Sequence, residues 1–135
     1  MIRKKKSLGQ HFLNAASYLR AIADAADIQP GDTVLEIGPG EGALTAVLLE
    51  RGAQVLALEK DARLIDFLKE KFAGKAFEVI EGDALEFAIS SHMRNGVFKV
   101  VGNIPYYITG ALLKAFLSCE VQPSLLVFLV QKEVA

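Results

Sequence analysis

Five short runs rich in apolar and β-branched residues, at 33–37, 54–58, 77–80, 98–101 and 125–130, alternate with stretches whose apolar residues recur at helical spacing. Leu19, Ile22, Ala23 and Ala26 mark one face of a helix over 14–27, which Asn14 can cap. Leu64, Ile65, Leu68 and Phe72 mark the buried stripe of another that Asp61 can cap. Further helices are predicted from the glycine-rich turn to about Arg51 and over 109–118. Strands that are apolar on both faces and separated by helices pair in parallel, with helices covering the two sides of the sheet. Right-handed crossovers then give an open, doubly wound, mostly parallel α/β sheet of Rossmann-like type. The run at 125–130 is followed almost at once by Ala135, with no helix to close the unit. An apolar strand left at a sheet edge exposes unpaired backbone groups, so the sheet is expected to be truncated after its fifth strand.

Composition narrows the setting. With 52% hydrophobic residues, the 135-residue chain has ample material for one core and lacks the polar bias of disordered chains. Its longest apolar run, Leu125 to Val130, is six residues, against the roughly 18 that a membrane span needs. Nothing at the start reads as a secretory leader, and the one cysteine, Cys119, cannot close an internal disulfide. A cytoplasmic protein is expected, without membrane or metal. Net charge is −1, but Arg3, Lys4, Lys5 and Lys6 gather four positive charges at the start and leave the remainder at −5. Such an arm can touch phosphates or remain a solvated tail.

A ligand site is expected where Glu36-Ile37-Gly38-Pro39-Gly40-Glu41-Gly42 joins the first strand to its helix. Glycines let the backbone adopt positive φ and let a ligand come close, and the ligand crevice of such sheets lies beside this turn. Gly38-x-Gly40-x-x-Ala43, with Glu59 at the end of the second strand, also fits a loose dinucleotide fingerprint. Electrostatics separate the two possible ligands. A pyrophosphate requires N–H donors at the helix start; Pro39 removes one, Glu36 and Glu41 add negative charge, and no lysine or arginine lies between Asp32 and Glu50. The sulfonium and ammonium of S-adenosylmethionine suit acidic surroundings. Glu59 can then accept from both ribose hydroxyls and Asp83, after the third strand, from the adenine amino group. A nicotinamide-dependent oxidoreductase and a tight turn without ligand remain as alternatives.

Asn103-Ile104-Pro105-Tyr106, read as a loop after the fourth strand, falls at the same edge. An adenine amino group is a poor nucleophile because its lone pair is delocalised into the ring. The Asn103 side-chain oxygen and the Ile104 carbonyl can each accept one of its hydrogens and localise that pair. Pro105 stiffens the segment, and Tyr106 offers a flat face to an unstacked base. The alternative is a plain strand-to-helix loop with a buried tyrosine. Cys119 reads as core filling rather than as a nucleophile, and His92 as a solvent-exposed loop residue.

On these residues the chain resembles the KsgA family of small-subunit ribosomal RNA adenine dimethyltransferases. The resemblance opens with Leu8-Gly9-Gln10-His11-Phe12-Leu13 and runs through Glu36 to Gly40, Gly82-Asp83-Ala84 and Gly102 to Tyr106, ending in Gln131-Lys132-Glu133-Val134. It implies S-adenosylmethionine contacts at His11, Leu13, Gly38, Glu59, Asp83 and Asn103, with Gly40 and Ala84 in the same segments. His11 and Tyr107 stand where relatives often carry asparagine, so no specific role carries over to Tyr107. The implied reaction is dimethylation of the amino nitrogen of two adjacent adenosines near the 3′ end of 16S ribosomal RNA in the small subunit. The implied layout is a basic arm and cofactor-contacting motif at 1–13, then an incomplete methyltransferase domain at 14–135. The family's C-terminal helical RNA-binding domain is absent, so a poorly active or inactive piece is expected. Erm-type methylation of large-subunit RNA and a non-catalytic, RNA-binding assembly factor on the same fold are the competing readings.

Overall fold

The computed structural model describes residues 15–84, 86, 97–118 and 122–131. Within them lie four helices, α1 (Ala15–Ala25), α2 (Ala43–Glu50), α3 (Ala62–Lys71) and α4 (Tyr106–Leu117). Five strands accompany them: β1 (Thr33–Ile37), β2 (Gln54–Glu59), β3 (Phe77–Glu81), β4 (Phe98–Pro105) and β5 (Leu125–Gln131). The strands form one sheet in the order β3-β2-β1-β4-β5, and every neighbouring pair is parallel. The doubly wound Rossmann-like sheet expected from the alternation is thus the fold. Chain order runs outward from β1 through β2 to β3, then returns to place β4 on the other side of β1. The switch point lies between β1 and β4, where an open α/β sheet leaves its ligand crevice.

Both faces of the sheet are buried, which is why its strands lack a polar side. Leu35, Ile37, Leu58, Val100 and Ile104 pack on one face with Leu112 and Phe116 of α4. Val34, Val55 and Val101 pack on the other with Ile22, Ala23 and Ala26 of α1 and Leu44 and Leu48 of α2. The third cluster sets Ile65, Leu68 and Phe72, from α3 and its C-cap, against Ala57 and Val79. Asp61 caps α3 by accepting from the Arg63 N–H at 2.9 Å, and that bond holds its carboxyl below the usual range.

One boundary differs from the sequence reading in a way that matters for the site. The fourth strand does not stop at Val101: β4 continues through Asn103, Ile104 and Pro105, in register with Leu129, Val130 and Gln131 of β5. The helix behind it starts at Tyr106 rather than Thr109. The predicted loop is therefore a strand end joined directly to a helix. Its physical basis is β5, which pairs with β4 over seven positions. Pro105 fits this junction, because a residue without an N–H is tolerated at a strand end and before a helix. Arg3 to Lys6, His11, Leu13, Asn14, His92, Cys119 and 132–134 lie outside the described residues.

Candidate functional site

The turn after β1 is shaped by Gly38, Gly40 and Gly42, with φ of 67°, 58° and 92°. Its start is pinned to the neighbouring strand by the Gly38 N–H, which donates to the Leu58 carbonyl at 3.0 Å. Its end is held from α3, where the Lys71 ammonium donates to the Glu41 carbonyl at 2.8 Å. A Cβ placed on Gly38 would lie 3.5 Å from the Asn103 carbonyl oxygen. The glycine turn and the Asn-Ile-Pro-Tyr segment, 65 residues apart in sequence, therefore meet across the β1–β4 switch point.

At the end of β2, the Glu59 carboxylate is oriented by the backbone around it. Oε1 accepts from the Gly40 N–H at 3.3 Å, and Oε2 accepts from the Lys60 and Asp61 N–H groups at 2.9 and 3.1 Å. Acceptor-only oxygens with about four lone-pair sites keep capacity for further donors. One strand further out, Asp83 Oδ1 accepts from the Glu86 N–H at 3.2 Å, and its Oδ2 lies 3.1 Å from the Lys60 ammonium. Lys60 escaped the sequence reading. The signal available was its position beside Glu59, since adjacent strand ends of a parallel sheet bring β2 and β3 termini together.

Glu36 departs from expectation. It was expected to add negative charge beside the turn, but it is buried, 1% exposed, on the face of the sheet opposite the crevice. Side chains alternate along a strand, so Glu36 goes with Val34 towards α2 while Ile37 goes towards α4. Its Oε1 accepts from the Thr45 hydroxyl, and burial pushes its pKa up to about 7. A carboxyl in that state is no fixed anion at neutral pH. The acidity of the site rests on Glu59 and Asp83. Cations also reach the site from outside the 32–50 segment, as Lys60 and Lys71.

A cleft of about 300 Å³ lies over the C-terminal strand ends, lined among others by Ile37, Gly38, Glu59, Lys60, Asp83 and Asn103. Ala84, Ile104, Tyr107, Ile108 and Leu112 complete much of its wall. Six of the expected site residues, Gly38, Glu59, Asp83, Ala84, Asn103 and Ile104, are thus brought together, and Gly40 supports Glu59 from behind. Pro105 ends β4 and Tyr106 opens α4 at the same rim. The cleft has two halves: acids from β2 and β3 on one side, Asn103 and the start of α4 on the other, with Gly38 between. Larger hollows lined by Gly52, Phe72 and Lys75, or by Thr33, Gln54 and Phe77, hold none of these groups. Among the described residues no cluster of His, Cys, Asp or Glu could hold a metal, and no helix is long and apolar enough to cross a membrane.

The family model described as ribosomal RNA adenine dimethylase matches residues 1–135. A curated relative from Dehalococcoides mccartyi strain CBDB1, named ribosomal RNA small subunit methyltransferase A, is 48% identical over 99% of this chain and 47% of its own. One of the same name from Deinococcus radiodurans is 51% identical over 99% of this chain and 45% of its own. This chain therefore spans about half the length of the curated relatives it matches. Among solved structures, the 23S rRNA methyltransferase ErmE superposes with a TM-score of 0.72 at 36% identity, over 86% of this chain and 47% of that one. With a sheet, a switch-point cleft and a family match that runs from end to end, the chain belongs to the ribosomal RNA adenine dimethylase family.

Proposed function

We propose that this chain forms the cofactor-binding and base-positioning part of an enzyme that dimethylates the amino nitrogen of two adjacent adenosines near the 3′ end of 16S ribosomal RNA. The observation that carries the reading is the close approach of Gly38 to the Asn103 carbonyl across the switch point, where a Cβ on the glycine would lie 3.5 Å from that oxygen. It sets the two motifs on one cleft whose far wall carries Glu59 and Asp83. The small subunit is preferred over the large one because the two relatives named for it are 48% and 51% identical, against 36% for ErmE. A cytoplasmic setting follows from a ribosomal substrate.

The cleft fits S-adenosylmethionine on its own donor set. Glu59 has both oxygens fixed by backbone donors yet keeps lone pairs for ribose hydroxyls, and Asp83 stands one strand away for the adenine amino group. The apolar wall of Ile37, Ala84, Ile108 and Leu112 suits a purine face. Bound there, the cofactor supplies an electrophilic methyl on a sulfonium. His11 and Leu13, from the N-terminal segment, are assigned to the same ligand.

The remaining work falls to β4 and α4. The Asn103 side-chain oxygen and the Ile104 carbonyl accept the two amino hydrogens of an extruded adenine, so that its nitrogen lone pair is directed out of conjugation. Strand pairing of Asn103 and Ile104 with β5 fixes these acceptors more firmly than a loop would, and positioning is the main lever for such a transfer. Pro105 holds the turn into α4, and Tyr106 stacks on the base. The amino proton displaced by alkylation passes to solvent at the open cleft.

Incubation of wild-type and Asn103→Ala proteins, extended to the relatives' full length, with labelled S-adenosylmethionine and undermethylated small subunits tests this reading. Wild type should label the 16S RNA and Asn103→Ala should fall by at least about a hundredfold, the scale of losing a positioned polar group. Equal labelling by both would remove Asn103 from the chemistry and favour a factor that works by binding. The 135-residue chain alone should bind cofactor but turn over far more slowly.

A further inference from the structure

Tyr107 is absent from the mechanism above, although it lines the cleft beside Asn103 and Ile104. The residue is 73% exposed, matched among the large hydrophobic residues described only by Val97 at 74%. It lies in the first turn of α4, where Ile108 and Leu112, four residues apart, face the sheet with the core cluster. That register leaves Tyr107 on the rim rather than in the wall. It also belongs to the Asn103 half of the cleft, away from Glu59 and Asp83 on the β2 and β3 side. An aromatic face kept in water at the mouth of a site is a platform for another flat group. Nucleobases stack on such platforms whatever their identity.

Resting on the reading that the cleft receives an extruded adenine, we infer that Tyr107 stacks on the base next to the target and holds the neighbouring nucleotide at the rim. The division follows from volume and exposure. About 300 Å³ is at the small end for a ligand site, and the proposed function already places the cofactor and one base there. An aromatic residue this exposed is free to cover something outside that volume. Where the substrate presents two adjacent adenosines, the one awaiting methylation occupies this platform while its neighbour reacts.

A thermodynamic cycle in single-stranded RNA tests the assignment. The probes are a fluorescent four-nucleotide RNA with two central adenosines, and the same RNA with abasic riboses on both sides of one adenine. Binding is read by anisotropy on the 135-residue chain saturated with S-adenosylhomocysteine. Wild type should lose about tenfold in affinity when the flanking bases are removed, the scale of one stacked base. Tyr107→Ala should lose the same on the intact RNA and nothing further on the abasic one, because coupled partners do not add. Tyr107→Phe should stay within about twofold of wild type, since the ring and not the hydroxyl stacks. The idea is overturned if wild type binds both RNAs equally or fails to bind the intact one, or if Tyr107→Ala responds to abasic flanks as wild type does. Failure to bind S-adenosylhomocysteine would instead sink the cofactor reading of the cleft, so the two failures are distinguishable.

Discussion

A carboxyl buried between β1 and the first turn of α2 loses the hydration that would stabilise its charge, and Glu36 answers by holding its proton to about pH 7. The Thr45 hydroxyl offsets part of that cost. Through linkage this becomes a stability statement. Below about pH 4.5 the group is neutral in the folded and unfolded chains alike, so its contribution is fully present. Between 4.5 and about 7 the unfolded chain releases the proton while the folded chain retains it, and stability falls as pH rises. The fall attributable to this group approaches about 3 kcal/mol, because each pH unit across that interval is worth about 1.4 kcal/mol. Glu36→Gln keeps the shape and has no proton to lose. Urea unfolding at pH 5 and pH 8 should show wild type losing about 2.5 kcal/mol more than the variant over that interval. Parallel pH slopes in the two proteins would show that Glu36 is not buried as neutral acid.

Among the elements, the glycine turn is held less by its own sequence than by the end of α3. Gly42 has φ of 92°, and a Cβ there would meet the Phe72 ring at 2.6 Å, whereas Gly40, at 58°, has nothing within 4 Å. Gly40→Ala should therefore cost only the backbone term, about 1 kcal/mol. Gly42→Ala adds a clash with a ring fixed between Leu68 and Phe77 and should cost about 3 kcal/mol. A thermal-unfolding series of the two variants reads the difference, and equal losses would mean that Phe72 yields freely. The contrast also marks what could be read in advance. Strands β1, β2 and β3 were legible to within a residue, because apolar residues without a polar face have few other fates. The Asp61 cap was legible because its hydrogen bond is local. The extension of β4 to Pro105 was not, because it depends on pairing with β5, some 26 residues later. Lys60 and the burial of Glu36 were hidden for the same reason: each depends on which strand end or helix lies across from it, a tertiary fact that spacing along the chain does not carry.

At the scale of the molecule, the order β3-β2-β1-β4-β5 divides labour across the switch point. Strands on one side of β1 deliver Glu59 and Asp83; the strand on the other side delivers Asn103 and leads into Tyr107. The halves flank the glycine turn and share the core cluster beneath it, and on the proposed reading each should lose its function with the other intact. On the proposed reading Glu59 is the more demanding position for cofactor, since a carboxylate accepts donors in charge-assisted bonds worth about 1.5–3 kcal/mol each. Glu59→Ala should weaken S-adenosylhomocysteine binding by at least about tenfold, measured by calorimetry on the 135-residue chain. It also leaves the Gly40, Lys60 and Asp61 N–H groups to water at a partly exposed edge. Asn103→Ala truncates a side chain that is already exposed at the end of a paired strand. It should leave S-adenosylhomocysteine affinity within about threefold, while circular dichroism reports both variants folded. If instead Asn103→Ala abolished binding as fully as Glu59→Ala, the two walls would form a single cofactor pocket, and the base would have to be held by parts of the protein beyond this cleft.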